Sequence, residues 1–153
     1  MAGTFTQLYV HAVTAVKFRQ SLIDPSWEDS LFTVMGGTLK ELGHTPIIIN
    51  GTDDHLHLLW GHKQTAPVDN TLKMVKGRSS KWINDHGLVD GLFRWQPGYG
   101  AFSVSVDRVP RVKGYIAKQK EHHQVIDFQT EYEKLLIDHG VSNLDYLLFD
   151  PPV

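Results

Sequence analysis

The run HTPIIINGTDDHLHLLWGH, His44 to His62, constrains the fold more than any other part of the chain. Two short apolar segments, PIIIN and HLHLLWGH, flank GTDD, a cluster of turn-forming residues. Such a pair reads as a β-hairpin, which fixes two neighbouring antiparallel strands. Side chains alternate across a strand, so His55 and His57 share one face while Leu56, Leu58 and Trp60 share the other. The second group supplies a core. The two imidazoles, with Cα atoms roughly 6.5–7 Å apart, can converge on one divalent ion. The same spacing would also suit two ordinary surface histidines. A histidine-triad hydrolase would want a third histidine at position 59, where Leu59 stands. A zinc hydrolase would want a further strong ligand nearby, and Asp53 and Asp54 sit too close in the turn to serve.

The neighbouring segments place the hairpin in a larger order. Residues 7–18, Gln7 to Phe18, are rich in β-branched and aromatic residues and read as a first strand. A helix follows, with Ser26 as N-cap, Leu31, Met35, Leu39 and Leu42 at helical spacing, and Gly43 as its stop. After the hairpin comes a second helix with Leu72, Val75, Ser79, Trp82 and Ile83 on one face, closed by Gly87. A loop containing Pro97, Gly98 and Gly100 feeds a strand around Ala101 to Val104 and is expected to form part of the active-site wall. A third helix starts near Pro110 and a fourth ends at Gly140. The order β-α-β-β-α-β is the ferredoxin-like split βαβ, an α+β fold with an antiparallel sheet and two helices on one face. Two C-terminal helices follow it. Residues 1–153 read as one domain, with a core at about 5–125 and a helical tail at 126–153.

Composition excludes several chemistries. The chain has no cysteine, so disulfides, zinc–thiolate sites and thiol nucleophiles are out. No run of about 18 apolar residues predicts a membrane span, and the first residues lack a signal-peptide pattern; a cytoplasmic location is the expectation. Net charge is −2, but residues 68–120 hold ten basic and four acidic residues, a local +6 in a chain whose remainder is −8. A basic middle suits phosphate binding by one face, or simply a solvated helix surface. No Gly-x-x-x-x-Gly-Lys phosphate loop is present, so no nucleotide cofactor is expected.

In KGYIAKQKEHH, Tyr115 and Gln119 are spaced i,i+4 and His122 follows at i+7, all on one helical face. Val112 and Ile116 supply a separate apolar side.

Taken together, DDHLHLL, WQPGYGAFSVS and VKGYIAKQKEHH resemble, in order and spacing, the signatures of the HUH-type single-tyrosine transposases, small enzymes of bacterial insertion sequences and their relatives associated with repetitive palindromes. The resemblance covers roughly residues 5–125. It implies a ferredoxin-like catalytic domain that acts on single-stranded or hairpin DNA in the bacterial nucleoid. It implies magnesium or manganese on His55 and His57, with Gln119 completing the metal site and Tyr115 as the nucleophile. It implies a homodimer, and the long apolar first strand is the expected pairing edge, with Tyr115 of one chain serving the histidines of the other. Lys73, Lys76, Arg78 and Lys81 are candidate DNA contacts, with Trp82 or Trp95 available for base stacking. Two alternatives stand beside the strand transferase: a non-catalytic hairpin-binding protein of the same fold, and a metallo-phosphoesterase acting on a small molecule.

Overall fold

A computed structural model describes residues 3–142. Four strands, β1 (Tyr9–Ala15), β2 (Thr45–Gly51), β3 (His55–Gly61) and β4 (Gly100–Val104), form one sheet in the order β2-β3-β1-β4. Every neighbouring pair is antiparallel. With α1 (Glu28–Glu41) between β1 and β2, and α2 (Val68–Asp85) between β3 and β4, this is the expected ferredoxin-like order. Then come α3 (Val109–Ala117), α4 (Gln119–His122) and α5 (Phe128–Asp138). The tail NLDYLLFDPPV lies outside the described residues. Among the described residues no helix is long and apolar enough to cross a membrane.

The hairpin forms as the sequence predicts, with Ile49 opposite Leu58 and Asn50 opposite His57. Gly51 permits the tight turn: a Cβ there would collide with the His55 carbonyl and the Leu56 backbone. One sheet face packs Ala12, Val16, Leu56, Leu58 and Trp60 against Leu31, Met35 and Leu39 of α1 and Leu72, Val75 and Ile83 of α2. The other packs Val13, Ala15 and Phe102 against Phe128, Tyr132 and Leu136 of α5. On that second face α3 lies beside β2 and β3, where Asn50 Nδ2 donates to the carbonyls of Ile116 (3.0 Å) and Ala117 (3.3 Å). The sheet is thus covered on both sides, and the histidine face is interior.

Several sequence expectations change. The first strand is shorter than Gln7 to Phe18, because the chain turns after Val16: residues 17–19 form a 3-10 turn in which Phe18 and Arg19 take φ of 58° and 50°. A propensity reading cannot see that turn, since Phe18 is a good strand residue. β1 is also central, hydrogen-bonded to β3 on one side and β4 on the other, so it cannot be the edge through which a second copy pairs. Among the described residues the free edges belong to β2 and β4. Helix α1 starts without a Ser26 cap: Ser26 N–H donates to Asp24 Oδ1 (2.8 Å), an Asx turn that replaces the cap. The third predicted helix is two, interrupted at Lys118 (φ −101°, ψ 18°). Trp95 is core, its indole donating to Ser79 Oγ of α2 (2.9 Å), and Phe93 packs beside it. That part of the 88–99 loop therefore serves the apolar side of the sheet and does not wall the histidines.

Candidate active site

His55 and His57 are 0% exposed, which rules out the reading of two surface histidines. A buried polar group must find partners, and every ring nitrogen of both residues has one. His55 Nδ1 lies 2.8 Å from Asp54 Oδ1 and 2.9 Å from Thr52 Oγ1. Its Nε2 lies 3.1 Å from Gln119 Oε1 and 3.4 Å from Glu131 Oε1. His57 Nδ1 pairs with Nε2 of His11 on β1 at 2.8 Å, and His57 Nε2 lies 3.0 Å from Glu131 Oε1. The hairpin turn thus orients one imidazole and the central strand orients the other. The two Nε2 atoms are left facing a single carboxylate oxygen.

Glu131 is the residue that sequence reasoning missed. It stands on the buried face of α5 with Phe128 and Tyr132 and is 2% exposed. Besides the histidines it accepts hydrogen bonds from Gln119 Nε2 (2.8 Å) and from the Tyr115 hydroxyl. His123 Nε2 approaches at 2.9 Å and His122 Nε2 at 3.6 Å. A glutamate flanked by polar residues in FQTEYEKLLID looks like a solvated helix residue; the one local clue is its place between Phe128 and Tyr132 on the stripe that also carries Leu135 and Leu136.

The electrostatics follow from this crowding. Burial opposes charge on Glu131, but hydrogen bonds from His123, His55 and His57 outweigh it and hold the carboxyl far below the usual range. Burial opposes protonation of His55, yet its bonds to Asp54 and Glu131 raise its pKa. For His57 burial wins and the pKa falls despite Glu131. His11 drops to about 3, through burial first and the neighbouring His57 second. Tyr115 is pushed well above the usual phenol value by burial and by Glu131. In this state the phenol is neutral and rests on the carboxylate.

The sequence-predicted site residues His55, His57, Gln119 and Tyr115 all meet here. Tyr115 and Gln119 do so across the break at Lys118, the Tyr115 ring centroid lying 5.8 Å from that of His57. Within the single chain described, Tyr115 reaches the histidines of its own subunit. His122 stacks edge-on against Tyr115 at 5.3 Å. On the far side Arg19, whose side chain is 9% exposed, places its guanidinium 5.0 Å from the Phe128 ring centre and its Nε 3.7 Å from Asp54 Oδ2. The left-handed turn at Phe18 and Arg19 is the backbone strain that makes this placement possible.

Ligand atoms of His55, His57 and Glu131 lie within 4.8 Å of one another. Two imidazole nitrogens and a buried carboxylate, with the Gln119 amide oxygen beside them, are a donor set that suits a divalent ion, so the residues fit the metal that the family implies.

Lys73, Lys76, Arg78 and Lys81 lie on α2, on the opposite side of the sheet, and three are engaged there. Lys76 Nζ donates to the carbonyls of Gln96 and Gly98, both at 2.7 Å. Arg78 pairs with Glu41, and Lys81 with Asp85 at 2.5 Å. Trp82 is half-buried against Trp27 at 6.4 Å.

Comparison with known proteins places the chain in a family. The family model described as "Transposase IS200 like" matches residues 4–119. The ISDra2 transposase TnpA of Deinococcus radiodurans is 24% identical over 124 residues, which is 78% of this chain and 89% of that protein. A crystal structure of a Deinococcus radiodurans protein described as a transposase superposes with a TM-score of 0.61 at 22% identity, covering 78% of this chain and 95% of the other. A REP-associated tyrosine transposase bound to a REP hairpin superposes with a TM-score of 0.60 at 10% identity, over 100% of this chain and 93% of the other. With a tyrosine, two buried histidines and a glutamine gathered on a ferredoxin-like sheet, and a family match spanning most of its length, the chain belongs to the IS200-like transposases.

Proposed function

We propose that this transposase cleaves and rejoins single-stranded DNA at hairpin-marked sites through a covalent 5′-phosphotyrosine on Tyr115. The observation that carries the reading is the convergence of Tyr115, His55, His57, Gln119 and Glu131 on one another, at the end of an otherwise apolar sheet. Pure hairpin binding would need none of these groups. A small-molecule phosphoesterase would not need a tyrosine aimed at the same point.

In this reading Tyr115 Oη attacks the scissile phosphorus. The Tyr–O–P bond forms, the P–O3′ bond breaks, and the 3′-oxygen leaves and takes up a proton. Glu131 accepts the hydrogen bond of the hydroxyl and so positions Tyr115 Oη; the phenol proton passes to solvent as the Tyr–O–P bond forms. His55, His57 and Glu131, supported by Gln119, would hold magnesium or manganese, which offsets the charge that develops on the phosphate. Attack by another 3′-hydroxyl reverses the sequence and joins strands, so bond energy is conserved and no nucleotide is consumed. The protein acts in the bacterial cytoplasm, on nucleoid DNA. Its working domain runs through α5, past the boundary at about 125 that the sequence suggests. It works as a homodimer joined through a sheet edge.

The test is incubation with end-labelled hairpin DNA and manganese, followed by denaturing gel electrophoresis. The parent protein yields an SDS-resistant DNA adduct, and Tyr115→Phe yields none while still binding the hairpin. An adduct from Tyr115→Phe would sink the assignment. A mixture of Tyr115→Phe with His57→Ala chains stays inactive when each site is built within one chain; restored cleavage would place the tyrosine in trans.

A further inference from the structure

A groove of about 580 Å³ opens between α3 and α5, and Tyr115 and Glu131 form part of its lining. It brings solvent to the Tyr115 and Glu131 side of the cluster. His55, His57 and Gln119 have no exposure of their own and lie behind these two residues. Along one wall Arg108, Arg111 and Tyr115 follow at i, i+3 and i+7, one stripe of α3 beginning at its N-cap. At a rise of about 1.5 Å per residue, Arg111 and Arg108 stand roughly 6 and 10 Å along the axis from the nucleophile. Both are exposed, and among the described residues neither makes a salt bridge. The facing wall carries Lys134, which is paired with Asp138 at 2.9 Å, and the apolar Leu135.

We propose that this groove seats the single DNA strand adjoining the scissile phosphate, with Arg108 and Arg111 on successive phosphates and the apolar wall against the sugars and bases. The inference rests on the strand-transferase reading above and specifies where the strand lies. The volume is that of a small-molecule site, room for one or two nucleotides and too narrow for a duplex. Although Arg108 also stands near enough to Asp138 to lower its pKa, two exposed guanidiniums on the helix of Tyr115, neither in a salt bridge among the described residues, complement a phosphate backbone. The cations of α2 do not, because three are engaged within the chain and all lie across the sheet from Tyr115.

The experiment compares Arg108→Glu/Arg111→Glu with Lys73→Glu/Lys81→Glu, each in a Tyr115→Phe background so that binding is read without turnover. The probes are a mixed-sequence hairpin with single-stranded flanks and an oligothymidine about 20 nucleotides long, followed by fluorescence anisotropy across a salt series. The groove pair lowers affinity for both probes by at least about 10-fold. It also reduces the slope of log affinity against log salt by about 1.4, two phosphates at roughly 0.7 each for a single strand. Unchanged affinity and slope in the groove pair, or a loss confined to the α2 pair, overturns the proposal. A parent that forms the adduct while the groove pair binds normally sinks the groove alone. A parent that neither binds nor cleaves either probe sinks the functional reading with it.

Discussion

The two faces of β3 are equally dry and built from opposite materials. Leu56, Leu58 and Trp60 face α1 and α2, and His55 and His57 face α4 and α5; all five are 0% exposed. On the first face burial removes apolar area from water and stabilises directly. On the second, each nitrogen loses water and gains a protein partner, an exchange that comes out near even in stability. One face therefore keeps the strand in place. The other uses the strand to hold chemistry.

That contrast can be broken by measurement. Leu58→Ala should cost about 2–5 kcal/mol in urea unfolding of the metal-free protein, the range for truncating a buried leucine. His57→Leu, which fills the same space but leaves Glu131 and His11 short of a partner, should cost less, about 1–3 kcal/mol. Manganese affinity by calorimetry should reverse the order, severely reduced in His57→Leu and retained in folded Leu58→Ala. A histidine substitution that destabilises more than the leucine truncation would erase the distinction between the faces.

A smaller effect tests whether the polar face is a positioned set. Asp54 touches no substrate in the proposed chemistry; it holds His55 Nδ1. Asp54→Ala should weaken manganese binding by about 10–100-fold, the usual cost of losing an orienting partner. Asp54→Asn, which can still accept a hydrogen bond, should recover part of it. Equal affinity in both variants and the parent would mean that the turn does not position His55.

The smallest effect is in pH. His11 titrates at about 3 in the folded protein, against about 6.5 when unfolded. As pH falls below 6.5 the unfolded chain takes up a proton that the folded chain refuses. Stability therefore falls from pH 6.5 towards 3, by at most about 1.4 kcal/mol per pH unit for one proton. His57 acts in the same direction, and His55, with its raised pKa, acts in the opposite one. His11→Gln keeps a hydrogen-bonding group beside His57 and removes one titration. In EDTA, its unfolding free energy should decline less steeply than that of the parent between pH 6.5 and 4. Equal slopes would show that His11 takes up its proton without cost.

Much of this was legible because it depends on short-range periodicity. The hairpin, the shared face of His55 and His57, and the approach of Tyr115 and Gln119 all follow from two- and four-residue spacings. The strand order followed from element order. What could not be read was set at long range. Glu131 lies 74 residues from His57 in sequence, and nothing in its neighbours announces that α5 covers the histidines. Whether β1 is central or peripheral depends on where β4 docks. Lys76 and Arg78 looked free in sequence because their partners, the Gln96 and Gly98 carbonyls and Glu41, come from other segments.

The interruption at Lys118 has a dynamic consequence. Helix α3 carries Tyr115, the proposed nucleophile, but buries one side chain fully, Ile116, and is held at its end by Asn50. The central strands bury nearly every residue they contain. Native proteins open in units whose free energies follow such differences. Amide hydrogens of α3 should therefore exchange with solvent by opening of the helix alone, long before those of β1 and β3, which wait for global unfolding. The tyrosine then rides on a separately opening segment, and in the proposed chemistry the fraction of time that segment spends away from Glu131 sets how often the phenol is free to meet a phosphate.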